Sequence, residues 1–140
     1  MIQLHPARRF VLGLVLVAVP VLGASSPAWA YPNATIVNET HLAASGTVHY
    51  AACRRDNFSV PAGHKTANGN ITPTQITISA RRGACLITKI EATLAGAGPA
   101  QPYTSSGTGK SDFVIHNSRN NGFVVTSKAT LTRLRAVSRT

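Results

Sequence analysis

Acidic side chains are nearly absent from this chain of 140 residues, which carries four Asp and Glu against fourteen Lys and Arg. Glu39, Asp56, Glu91 and Asp112 stand singly, so the sequence offers few candidates for the paired carboxylates of a glycosidase. The net charge of +10 favours anionic partners, which the long-range field of a basic protein attracts. Positive charge can also serve only to keep a small protein soluble, and the sequence leaves both interpretations open.

Catalytic and metal-binding motifs are missing as well. His41, His49, His64 and His116 show no compact metal-ligand spacing, and no Gly-x-Ser-x-Gly sequence marks a nucleophilic serine. Aromatic residues make up 6% of the chain and do not alternate with basic ones, which disfavours nucleic acid as a partner. We therefore expect no metal and no cofactor, and a binding protein is favoured over an enzyme. A fold-assembled catalytic triad leaves no local signature, so a small secreted hydrolase stays as an alternative.

The one long apolar run of the chain lies close to the amino terminus. It covers residues 10–23, contains Pro20, and precedes an Ala-Trp-Ala sequence that ends at Ala30. A membrane-spanning helix needs about 20 apolar residues, and this run is shorter. Residues 1–30 therefore predict a secretory signal peptide that is cleaved before Tyr31. We expect a secreted or periplasmic protein with no transmembrane segment in the mature chain.

Residues 31–140 have the composition of an all-β protein. They are rich in Thr, Val, Ser, Ala, Asn and Gly, and their short alternating runs are separated by turn residues. Their length is typical of a single domain with one core. We predict a small antiparallel β-sandwich, with a small β-barrel as the alternative. The predicted strands lie near residues 34–38, 46–52, 57–60, 75–80, 85–94, 111–116, 122–128 and 130–137.

Two connections of this predicted fold can be assigned from their residues. Residues 113–115 and 123–125 flank a segment that ends in Asn-Gly at Gly122, a dipeptide that suits the turn of a β-hairpin. Residues 95–102 and 105–109 are dominated by Gly, Ala, Ser and Pro, which predicts one long surface loop. Such loops often carry the binding function of a β-scaffold.

The fifth predicted strand has the clearest alternation. Leu86 and Ile90 fall on one side of it, whereas Ile87, Lys89 and Glu91 fall on the other. We expect the side with Leu86 and Ile90 to face the core and the side with Lys89 and Glu91 to face solvent.

Two cysteines follow the predicted signal peptide. Cys53 and Cys85 are an even count in a small exported chain, which favours a disulfide bond between them. In the chain-entropy model, closing this loop stabilises the protein by roughly 3 to 4 kcal/mol. A reactive cysteine paired with a histidine is disfavoured, because a free thiolate would have to persist in an oxidising compartment.

The cysteines are flanked by arginines, and this is the best indication of a site. Arg54 and Arg55 follow Cys53, and Arg81 and Arg82 come shortly before Cys85, so a disulfide gathers four guanidinium groups into one region. Guanidinium groups suit sulfate, phosphate and carboxylate. The alternative, that each arginine pair is a solvated turn, is about as well supported.

These observations favour a non-enzymatic protein that binds an anionic glycan, a lipid head group or another acidic surface. The predicted leader removes two of the fourteen basic residues and no carboxylate, so residues 31–140 keep a net charge of +8. A secreted effector or toxin-like protein that acts on membranes or host proteins is the first alternative, and the hydrolase is the second.

Four Asn-x-Ser/Thr sequences fit the acceptor pattern for N-glycosylation. They begin at Asn33, Asn38, Asn57 and Asn70. The pattern arises readily by chance in a chain this rich in Asn and Thr, so it does not by itself identify a modified residue.

Overall fold

A computed structural model describes residues 31–78 and 82–140, and the predicted signal peptide lies outside these ranges. The described residues form eleven strands and one helix: β1 (Ala34–Asn38), β2 (Ala44–Tyr50), β3 (Asp56–Val60), β4 (His64–Lys65), β5 (Ile71–Thr72), β6 (Thr74–Ile78), β7 (Ile87–Leu94), β8 (Gly98–Pro99), β9 (Tyr103–Thr108), β10 (Asp112–Ser118), β11 (Gly122–Ser127) and α1 (Lys128–Val137).

Two sheets face each other across a shared core. Sheet A has the strand order β11-β10-β1-β6, and sheet B has the order β3-β2-β7, with β8 and β9 both paired with the far edge of β7. The strands β4 and β5 form a short separate hairpin. The predicted all-β sandwich is therefore confirmed. Side chains from both sheets fill the core, among them Ile36, Phe113 and Ile115 from sheet A and Val48, Ile90 and Leu94 from sheet B.

One strand pair differs from the expected antiparallel pattern. β1 and β10 run parallel, with Ile36 opposite Phe113, whereas every other pair of these strands is antiparallel. Parallel neighbours need a long connection, and here all of sheet B lies between them in sequence. Neither strand is joined to the other by a turn, so no local pattern could specify this pairing.

Seven of the eight predicted strands are present, with ends that differ by a few residues, although the end of the strand predicted at 75–80 lies outside the described residues. The predicted hairpin is confirmed. Ser118 pairs with Gly122, and Gly122 has a positive φ of 65°, the left-handed conformation that glycine adopts without strain.

The strand predicted at 130–137 is wrong, because α1 occupies this part of the chain. The hydroxyl of Ser127 caps the helix by accepting a hydrogen bond from the backbone N–H of Thr130. Leu131, Leu134 and Val137 recur every third residue, which is a helical spacing. The helix packs on the outer face of sheet A against β10 and β11.

The loop predicted between 95 and 110 is also wrong in part, because β8 and β9 form one interrupted edge strand along β7. At the interruption Gln101 pairs with sheet A. Its N–H donates to the carbonyl of Phe123 at 2.8 Å, and its carbonyl accepts from the N–H of Val125 at 2.9 Å. This small bridge joins the two sheets along one side of the sandwich.

A β-bulge in β7 corrects the predicted orientation of this strand. Tyr50 pairs with Ile87 while its neighbour His49 pairs with Lys89, so Thr88 is the extra residue. Ile87 and Ile90 are both fully buried, whereas Leu86 is only half-buried. The expectation that Leu86 and not Ile87 faces the core was therefore wrong, although Lys89 does remain on the solvent side.

Candidate functional site

One end of the sandwich carries the disulfide, and we call it the disulfide end. It is formed by Tyr31 and Pro32, the β2–β3 connection, residues 82–86 and the β9–β10 connection. Cys53 and Cys85 are bonded, with their Cα atoms 6.0 Å apart, which confirms the predicted disulfide. The bond ties the β2–β3 connection to the segment that leads into β7.

Arg54 and Arg55 lie exposed in the β2–β3 connection, directly after the bridged Cys53. Neither makes an ion pair with a described residue. The adjacent carboxylate, Asp56, instead accepts a hydrogen bond from the hydroxyl of Tyr50 at 2.9 Å. Burial, followed by this contact with Asp56, raises the pKa of Tyr50, so the tyrosine stays neutral and remains a donor. Two cationic side chains are thus left facing solvent.

Arg82 has a different environment from the one that the sequence predicted, because only 1% of its surface is exposed. Its guanidinium donates to the carbonyls of Pro32 at 2.9 Å, Thr108 at 3.0 Å and Cys85 at 3.3 Å, and to the hydroxyl of Ser111 at 2.7 Å. Burial lowers the pKa of Arg82, but the guanidinium keeps its charge at neutral pH because the ordinary pKa of arginine is so high.

Tyr31 completes this arrangement from the outside. Its ring lies 5.3 Å from the central carbon of the Arg82 guanidinium, within the range of a cation–π contact. Its backbone N–H donates to the carbonyl of Gly83 at 2.7 Å. The ring also leaves no room for a side chain at Gly109, where a Cβ would come within 2.7 Å of it. Arg82 is thus enclosed by three segments of the chain.

The four predicted arginines therefore do not all lie on one surface. Arg54 and Arg55 are exposed, Arg82 is inside the protein, and Arg81 lies outside the described residues. Whether this region binds an anion stays a prediction. What the sequence did not indicate is that Arg82 organises the end from within, because nothing local distinguishes a buried arginine from an exposed one.

Two lysines that were not among the predicted site residues lie at the same end. Lys110 and Lys128 line a shallow cavity of about 530 Å³ beside the start of α1, together with the hydroxyl-bearing Ser111 and the carboxylate of Asp112. Lys128 is the last residue of a predicted strand, so its position at the start of a helix was not predicted. The cavity is open, and Asp112 offsets part of its positive charge.

Catalytic chemistry finds little support in the described part of the chain. His49 shares a contact of 2.8 Å with Glu91, and Lys89 also binds this carboxylate, which lowers the pKa of Glu91. No described serine, threonine or cysteine side chain hydrogen-bonds to the His49 ring, so this pair lacks a nucleophile. Residues 31–78 and 82–140 also contain no group of three His, Cys, Asp or Glu side chains that could hold a metal ion.

In the described residues, α1 is too short and too polar to be a membrane-spanning helix. Comparison with known proteins found no matching family model, no matching curated protein and no matching solved structure.

Proposed function

We propose that this chain is a non-enzymatic, exported binding protein whose disulfide end contacts anionic groups. The observation that carries the proposal is the pair Arg54 and Arg55, which are exposed, adjacent and without an ion-pair partner among the described residues. The adjacent carboxylate of Asp56 accepts from Tyr50 and forms no ion pair with either arginine, so it offsets only part of their charge. Planar guanidinium groups are suited to sulfate, phosphate and carboxylate oxygens.

The rigidity of the segment that carries these arginines supports the proposal further. Cys53 precedes Arg54 and is bonded to Cys85, whose carbonyl accepts from Arg82. A loop that is already fixed loses little conformational freedom when it binds, so more of the contact energy appears as affinity. An exported location is part of the proposal, since disulfides persist in oxidising compartments.

Lys110 and Lys128 provide a second pair of charges at this end. They lie beside the N-terminus of α1, where the helix dipole also favours negative charge. Lysine is a point charge without the fixed fork of arginine, so these residues would add to the attraction without fixing the geometry of a ligand. We therefore assign the discriminating contacts to Arg54 and Arg55.

The experiment compares two double variants with the same net charge. Arg54→Gln/Arg55→Gln removes the proposed contacts, and Arg133→Gln/Arg139→Gln removes two exposed arginines of the carboxyl-terminal region that make no ion pair in the described residues. Binding to heparin and to vesicles that contain phosphatidylglycerol is measured at increasing salt. We expect the first variant to bind about tenfold more weakly, because charge-assisted hydrogen bonds are lost, and the second to bind almost as the unmodified protein does.

Salt should weaken the binding of the unmodified protein steeply, because the Debye length falls from about 10 Å at 0.1 M to about 3 Å at 1 M. Retention on heparin alone would identify a sulfated glycan as the ligand class, and retention on vesicles alone would identify a lipid head group. Equal losses in the two double variants would overturn the proposal, because they would show that only the diffuse charge of the chain is at work. Vesicle leakage caused by the unmodified protein would favour the effector alternative.

A further inference from the structure

His116 occupies an unusual position on the outer face of sheet A. Along β10, Phe113 and Ile115 face the core, so Val114 and His116 face the opposite side, which α1 covers. The Nε2 atom of His116 is buried and has no hydrogen-bond partner among the described residues. An imidazole in this setting is tolerated when it is neutral, but its charged form would bury a second N–H donor without an acceptor.

The charged groups around His116 come from two elements. Arg135 approaches from α1, and Glu39 approaches from the residue after β1. These two side chains form an ion pair with each other. On the remaining side, β11 presents the uncharged Val124 opposite His116, and Arg119 lines the hollow that His116 shares with the end of α1.

Burial has the largest effect on His116 and lowers its pKa, and Arg135 acts in the same direction. The Glu39 carboxylate and the backbone of Asn117 act in the opposite direction but are outweighed. Glu39 is already engaged by Arg135, so a protonated His116 would compete with that ion pair for the same carboxylate.

α1 is held against sheet A by few buried side chains. Leu131 is its one buried residue, while Leu134 is 58% exposed and Val137 is 75% exposed. The ion pair between Arg135 and Glu39 is partly exposed to solvent, and such pairs contribute little. Elements with few buried contacts open without global unfolding, so a change beneath α1 should release the helix before it unfolds the sandwich.

We propose that α1 is an acid-released latch, in which protonation of His116 detaches the helix from sheet A and uncovers the face around Val114. The docked state prefers neutral imidazole, whereas the released state allows the ordinary histidine pKa of about 6.5. The equilibrium constant for release is therefore lowest at neutral pH. It rises about tenfold for each pH unit below the ordinary pKa and levels off once the pH falls below the lowered pKa of the docked state.

Hydrogen exchange followed by mass spectrometry measures this directly. Protection of residues 128–137, corrected for the pH dependence of intrinsic exchange, is compared between about pH 8 and pH 5. We expect it to fall below about pH 6.5 while the amides of β2 and β7 stay protected. His116→Gln should remove this pH dependence. His64→Gln, a change at an exposed histidine of β4, should keep it.

Two further measurements separate this latch from other origins of acid sensitivity. Glu39→Gln removes the carboxylate that pairs with Arg135, so it should weaken protection at all pH values but keep the fall near the histidine pKa. The imidazole pKa of His116 is also read by NMR in the unmodified protein, which does not depend on any variant folding. A value at or above the ordinary histidine pKa, or the same pH profile in His116→Gln as in the unmodified chain, would overturn the proposal.

Discussion

The two ends of the sandwich are each organised by one buried polar side chain, and the two side chains differ in charge and in reach. At the disulfide end, Arg82 donates to the backbone of Pro32, which is 50 residues away, and of Thr108, which is 26 residues away. At the opposite end, Asn38 donates to the carbonyls of Leu42 and Pro61, 4 and 23 residues away. Arg82 therefore holds together distant parts of the chain, whereas Asn38 mainly fixes a nearby turn.

The ends also differ in how many of their carbonyl acceptors are duplicated, meaning that a second side chain donates to the same carbonyl. The carbonyls that Asn38 binds have second donors, because Leu42 also accepts from the Thr40 hydroxyl and Pro61 accepts from the Thr74 hydroxyl. At the disulfide end the Pro32 carbonyl also accepts from the Ser111 hydroxyl, but the Thr108 carbonyl accepts from no second side chain among the described residues. Thr108 is half-buried, and an acceptor shielded from water loses stability when its side-chain donor is removed, so the disulfide end should be the more sensitive of the two.

The largest effect is expected from removal of the disulfide. Cys53→Ser/Cys85→Ser frees a loop with a sequence separation of 32 residues. The chain-entropy model gives a loss of about 3 to 4 kcal/mol in the free energy of unfolding. Guanidinium chloride unfolding of the two proteins, monitored by circular dichroism, measures the difference. A loss below about 1 kcal/mol would mean that the Arg82 contacts hold the disulfide end together without the covalent bond.

The next effect separates Arg82 from the bond beside it. Arg82→Met keeps an unbranched apolar stem about as long as the methylene part of the arginine but removes the guanidinium and its donors to Pro32, Thr108 and Cys85. Because several charge-assisted hydrogen bonds from one buried guanidinium are lost together, we expect a loss of about 3 kcal/mol. Chemical denaturation of this variant is compared with that of Arg54→Met, which changes an exposed arginine that directly follows Cys53 and lies in neither sheet, and which should change stability little. Equal stability of the two variants would contradict a structural role for Arg82.

Arg82 also shows where prediction from the sequence reached its limit. The disulfide and the nearness of Arg54 to Cys53 follow from covalent connectivity, so they could be predicted. Whether an arginine points outwards or inwards depends on acceptors such as Pro32 and Thr108, which the fold brings from distant positions. No composition or spacing rule contains that information.

The same reasoning explains the errors in the secondary structure. Hairpin β10–β11 was predictable because its signal lies within a few residues of Gly122. The bulge at Thr88 was not, because it is defined by the pairing of β7 with β2. α1 was not predicted although Leu131 and Leu134 have helical spacing. Its β-branched threonine and valine residues are equally compatible with a strand.

The smallest effect tests the duplicated hydrogen bonds at the opposite end. Asn38 is fully buried and accepts from the backbone and the hydroxyl of Thr40, at 3.0 and 2.8 Å. Asn38→Ala leaves the carbonyls of Leu42 and Pro61 with their second donors, so we expect a loss of about 2 kcal/mol or less, smaller than that of Arg82→Met.

A double-mutant cycle then asks whether duplication is the reason for this difference. Thr74→Val removes the second donor to the Pro61 carbonyl, and together with Asn38→Ala it leaves that carbonyl without a side-chain donor among the described residues. The double variant should therefore lose more stability than the two single variants combined, by about 0.5 to 1 kcal/mol. Strict additivity would show that the two donors act independently, and the comparison between the ends would then rest on charge and reach alone. Because Asn38 has no exposed surface and both amide hydrogens are engaged, a glycan at this Asn-x-Thr sequence is incompatible with the folded state, and mass spectrometry of the purified protein should find Asn38 unmodified.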